Sequence, residues 1–89
     1  MEIKNKFKEE EALLILQNHI RQTYGQHYSM NKIQATEFII DSGHGEGFCM
    51  GNIIKYAKRY GKKAGNNDAD LLKIIHYAII LLGSKNENN

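Results

Sequence analysis

Between Lys8 and Tyr24 the apolar residues Leu13, Leu16, Ile20 and Tyr24 recur at steps of three and four, the mark of an amphipathic helix. Gly25 is placed to end it through the left-handed backbone that glycine readily accepts. Glu9, Glu10 and Glu11 fall in the first turn, where carboxylates face the positive end of the helix dipole. Tyr24 to Met30 reads as a connection, with a short extended piece near Tyr28 to Ile33. Asn31, with Gln34 three residues on, has the spacing of a cap for a second helix over Ile33 to Asp41. Gly43, Gly45 and Gly47 then interrupt regular structure and predict a loop that a ligand can approach closely. The pattern predicts a third helix over Phe48 to Tyr60, with Met50, Ile53, Ile54 and Ala57 inward and Lys55, Lys58, Arg59 and Lys62 outward. Asn67 or Asp68 is placed to cap a fourth helix from Asp70 to Leu82, ahead of a polar tail, 83–89, expected to be disordered.

The expected fold is therefore all-α, a compact bundle of four short helices forming one domain over residues 1–82. The last helix is apolar nearly all round from Ile74 to Leu82, and a helix without a polar face has to be covered on more than one side. A chain of 89 residues buries only roughly 60–65% of its unfolded surface, and Cys49, the single cysteine, makes no internal bridge. Both points predict a homo-oligomer, built through the last helix and the first.

The run from Leu71 to Leu82 contains Lys73 and His76 and falls short of the ~20 residues that cross a bilayer. With no apolar targeting core at the start, the expectation is a cytoplasmic protein without a membrane partner. Net charge is only +2, but residues 52–64 hold five Lys or Arg and no acid, leaving −3 on the rest of the chain. The positive field is local, which makes a general nucleic-acid partner the lesser expectation.

Lys55, Arg59 and Lys62 follow steps of four and three, so on a helix they share a face. Arg59 offers a planar fork to phosphate oxygens, the lysines add point charge, and Tyr56 and Tyr60 offer rings to a base. Gly51 and Asn52, behind the glycine loop, lie where a helix N-terminus favours anions. The alternative is a solvated charged face paired with acids elsewhere. Neither the P-loop nor the dinucleotide fingerprint is present. His44-Gly45-Glu46 matches half of a zinc-deaminase motif, yet its P-C-x-x-C partner is missing; a metal site from His44, Glu46 and His76 has no supporting spacing. His19 and His76 read most simply as packed histidines, although His76 forms a polar strip with Lys73 and Tyr77.

The run from His27-Tyr28 to Leu82 resembles a small phage family of domains without an assigned function, found also at the C-terminal end of the T-seven-type coliphage nucleotide kinase. Its matching pieces are His27-Tyr28, Ile33 to Ile39, and Phe48 to Tyr56 with Arg59 and Gly61-Lys62-Lys63. Asp70-Leu71 with Lys73 and Tyr77 complete it. The resemblance covers 56 of 89 residues. It implies a phage or prophage source, a helical domain and nucleotide handling. The residues it and the charge pattern assign to a nucleotide or cyclic nucleotide are Gly51, Asn52, Lys55, Tyr56, Arg59, Tyr60, Lys62, Lys63, His27, Tyr28, Lys73 and His76.

Three functions follow. The first is capture of a nucleotide without turnover and without a cofactor. The second is a nucleoside monophosphate kinase or other nucleotide-processing enzyme using Mg²⁺, although the kinase has a long N-terminal region that this chain lacks. An all-α pyrophosphatase ranks below the kinase, because Glu37-x-x-x-Asp41 and Asp68-x-Asp70 depart from its paired motifs. The third is nucleic-acid binding through the same basic face.

Overall fold

The computed structural model describes residues 5–62 and 65–87, without the side chains of residues 27–29, 86 and 87. Four helices follow one another: α1 (Glu9–Gly25), α2 (His27–Asp41), α3 (Gly45–Arg59) and α4 (Asp68–Glu87). The fold is all-α, with no strand among the described residues.

The acidic first turn of α1 is as expected, and Asn5 Oδ1 accepts from the Glu10 N–H at 3.1 Å, satisfying one of the donors a helix start leaves open. Its end differs. Gly25 stays helical, and a single extended residue, Gln26 (φ −98°, ψ 129°), turns the chain directly into α2. No separate connection over Tyr24 to Met30 and no extended piece exist, and Asn31 lies inside α2 rather than at its cap.

The glycine cluster also resolves differently. α2 ends in a Schellman motif: Gly43 (φ 93°) donates to Ile40 O at 3.0 Å, and His44 donates to Ile39 O at 3.1 Å. Gly45 opens α3 and is buried, and a Cβ there would lie 3.0 Å from Ile40 Cγ1. Two of the three glycines are thus used in packing α3 against the end of α2, and no glycine-rich loop remains to receive a ligand.

α3 and α4 run antiparallel and share the most extensive contact in the fold. At one end Arg59 meets Asp70; at the other, Glu46 meets Lys85. Between them Phe48 packs edge-on to Tyr77 at 5.8 Å, and Tyr56 stacks on Tyr77 at 6.2 Å. The side of α3 that meets α4 therefore carries Cys49 and Tyr56, both buried, while Met50, Ile54 and Ala57 are exposed and only Ile53 is half-buried. The expected orientation of α3 is rotated because two aromatic rings and an ion pair outweigh three aliphatic side chains in choosing its buried face.

Asn67, not Asp68, caps α4: its Oδ1 accepts from the Ala69 N–H at 2.8 Å. α4 continues five residues past Leu82, to Glu87, so most of the tail expected to be disordered is helical.

Candidate functional site

α3 breaks off at Arg59, because Tyr60 turns out of the helix (φ −58°, ψ 125°) and Gly61 follows with φ 84°. Lys62 then lies in a turn, so the expected basic face of Lys55, Arg59 and Lys62 is not continuous. Arg59 does not face outward as expected: its Nε lies 3.3 Å from the Oδ1 of Asp70, whose side chain is 1% exposed.

A different cationic grouping takes its place, centred on the ring of Tyr56. Lys55 Nζ lies 4.6 Å from the ring centroid, Lys73 Nζ 5.0 Å and Arg59 Cζ 5.8 Å. These groups come from two helices, and the ring's negative face attracts each of them. Among the described residues, Arg59–Asp70 is the only ion pair any of the three makes. Two lysines thus stand at one aromatic ring without a paired carboxylate.

Tyr56 and Lys73 also line a cleft of about 680 Å³ between α1, α2 and α4. Its walls include His19, Ile20 and Thr23 of α1, Ile33, Thr36 and Glu37 of α2, and His76, Tyr77 and Ile80 of α4. His19 and His76 meet edge to face at 5.7 Å. Burial lowers the pKa of both imidazoles; the positive charge of Lys73 adds to this at His19, and His19 adds to it at His76. Both are therefore neutral near pH 7, each with one N–H donor and one acceptor nitrogen. Burial raises the Tyr77 phenol, with Tyr56 and Cys49 adding to it, so Tyr77 remains a hydroxyl donor.

The residue pattern of DUF3310, a family of proteins of unknown function, matches residues 22–79. The chain belongs to the DUF3310 family. No curated protein and no solved structure matches it. The DUF3310 match takes in α2 and α3 entire, most of α4 and the last turn of α1, so it contains every cleft residue named above except His19 and Ile20 of α1 and Ile80 of α4.

Of the residues singled out from sequence, the structure brings Lys55, Tyr56, Arg59, Lys73 and His76 together around the Tyr56 ring and the cleft. Gly51, Asn52, Tyr60 and Lys62 lie elsewhere. Gly51 lies on an exposed part of α3 with open space around it. Asn52 is well inside the helix, its Nδ2 donating to Phe48 O at 2.9 Å, so it offers no helix N-terminus to an anion. Tyr60 is half-buried beyond the end of α3. The side chains of His27 and Tyr28, and Lys63 entirely, lie outside the described residues. Tyr56 is too deeply buried, at 7% exposure, to serve as an open stacking platform. His44, Glu46 and His76 form no metal site: Glu46 pairs with Lys85, His76 faces His19, and among the described residues no three His, Cys, Asp or Glu side chains group together.

Sequence reasoning missed His19 and the α2 wall. His19 carried a signal, since with Thr23 it puts polar groups one turn apart on an apolar helix face. Thr36 and Glu37 fall within Ile33 to Ile39, a piece of the family resemblance, but only the tertiary fold sets them opposite α4.

Proposed function

We propose that this protein binds a phosphate-bearing nucleotide or cyclic nucleotide in the cleft between α1, α2 and α4, and holds it without turnover. The observation that carries this reading is the convergence of Lys55, Lys73 and Arg59 on Tyr56, with Asp70 the one carboxylate paired among them. Lys73 lines the cleft and Lys55 shares its aromatic ring, and phosphate oxygens accept from ammonium groups in charge-assisted hydrogen bonds; the carboxylates of the cleft, Glu37 and Asp41, come from α2. The cleft, about 680 Å³, falls in the ~300–1,000 Å³ range of small-molecule sites. Neutral His19 and His76, Thr36 and Glu37 offer donors and acceptors for a base and ribose, against apolar Ile33 and Ile80.

Binding alone requires one anion site. Phosphoryl transfer requires two aligned nucleotides and Mg²⁺, and the cations here gather at one place. The resemblance to the C-terminal part of a phage nucleotide kinase supports nucleotide handling and keeps the kinase as the competing reading. For a phage protein in the host cytoplasm, capture serves to sequester a nucleotide signal of host defence.

The test is to incubate the protein with mono-, di- and cyclic nucleotides, with and without ATP and Mg²⁺, then denature it by heat and identify what is released. Recovery of one intact nucleotide, at no more than one per chain, is expected; altered nucleotide beyond one equivalent overturns capture. Lys73→Ala should weaken binding at least about tenfold, as the loss of a charge-assisted hydrogen bond does. Lys58→Ala, on the exposed side of α3, should not.

A further inference from the structure

The α3–α4 pair has two sides, and the residues next to the two stacked tyrosines define them. Before Tyr56 and Tyr77 come Lys55 and His76, on the side of the cations and the cleft. After them come Ala57 and Ala78, both exposed. Each helical residue advances about 100°, so Met50, Ile54 and Ala57 form one line on α3 at steps of four and three. Leu71, Ile75, Ala78 and Leu82 form one line on α4 at steps of four, three and four. Counted from Tyr56 and Tyr77, Ala57, Ala78, Met50 and Leu71 lie about 100–120° round their helices, Leu82 about 140°, and Ile54 and Ile75, at about 160°, form the outer edges of the two lines. In an antiparallel pair that same-sense displacement brings both lines to the same side.

All seven residues are exposed, Ile54 at 64% and Leu82 at 62%. The result is a two-helix apolar face on the side opposite the cleft, in the four-and-three spacing by which helices interdigitate. On α1, Leu13, Leu14, Leu16 and Ile20 line a separate apolar depression of about 300 Å³ that is confined to that one helix.

We propose that a second copy of this chain packs on this face, the two α3–α4 pairs forming a four-helix bundle. The area of the free chain supports that occupant. A compact monomer of 10.2 kDa exposes about 5,300 Å², whereas this chain exposes 7211 Å². The excess, about 1,900 Å², is more than the ~800 Å² that each partner loses in a standard interface. The radius of gyration, 14.4 Å, also exceeds the about 12 Å of a compact chain of this length. A two-fold axis through the face sets the same two apolar lines against each other and closes after two copies.

Sedimentation or light scattering of the intact protein at micromolar concentration should give twice the 10.2 kDa chain mass. Its melting temperature should rise with protein concentration, as for any assembly linked to folding. Met50→Lys and Leu71→Lys should each abolish the dimer or remove that concentration dependence, whereas Leu13→Lys on α1 should leave both intact. A monomeric wild-type protein, a dimer unaffected by Met50→Lys and Leu71→Lys, or dissociation by Leu13→Lys alone overturns the proposal. Nucleotide binding is read separately, because Lys73 and the apolar face lie on opposite sides of the pair.

Discussion

Asp70 has no solvent exposure, and among the described residues neither of its carboxylate oxygens accepts a hydrogen bond. Its compensation comes from Arg59 at 3.3 Å and from its position in the first turn of α4, where the helix dipole favours a negative charge. Removing one partner of a buried pair leaves an uncompensated charge, which costs about 3–5 kcal/mol. Arg59 is itself partly exposed, which places Arg59→Ala at the lower end, about 3 kcal/mol. Urea denaturation should show this loss, with part of it recovered when Asp70→Asn is added. An Arg59→Ala variant as stable as the wild type would remove Asp70 from the account of how α3 is anchored. Arg59 therefore serves the fold first, and a loss of ligand binding on its removal has to be read against a loss of stability.

At the scale of the elements, the backbone of one glycine fixes how the chain leaves α3. Gly61 has φ 84°, its N–H donates to Gly65 O at 3.0 Å, and a Cβ would lie 2.7 Å from Asn66 Oδ1. Gly61→Ala should destabilise by about 1–2 kcal/mol, the cost of a left-handed residue that carries a Cβ. Thermal unfolding followed by circular dichroism checks it, and an unchanged midpoint would mean that the turn relaxes freely. Gly61 adjoins a boundary that was legible in the sequence: the third helix, expected to run to Tyr60, ends at Arg59, and the 3.6-residue period of Leu13, Leu16, Ile20 and Tyr24 located α1 almost to the residue. The start of α2 was not legible, because only the packing of α1 against α2 shows that the chain turns within one residue. Nor was the rotation of α3. Aliphatic periodicity favoured Met50, Ile54 and Ala57 as the inward face, while the ring of Tyr77 and the charge of Asp70, each distant in sequence, decided otherwise. Half of the candidate site followed the same rule: Lys55, Tyr56 and Lys73 stood out locally, whereas the cleft beside them needs α1 and α2.

For the whole molecule, contact between the N-terminal half and α4 runs through the pair His19 and His76, with Lys73 near. Both histidines have pKa values lowered in the fold from 6.5. Below that value the unfolded chain takes up protons that the folded chain resists, so stability is fully present above it and is lost as pH falls. The denaturation midpoint should decline between pH 7 and about 5, and replacing both residues by Gln should flatten that part of the profile. A pH-independent midpoint for the wild type would show that the two imidazoles take up protons as readily in the fold as outside it.

The sequence contains no tryptophan and only five tyrosines, two of which are the nearly parallel rings of Tyr56 and Tyr77. Held this close, their transition dipoles couple, and a chiral, rigid setting turns that coupling into near-ultraviolet ellipticity that no indole band obscures. Lys73 and the cleft adjoin the same rings. The protein thus carries an intrinsic optical reporter at its candidate site, in which occupancy reads out as a change of tyrosine signal without a label.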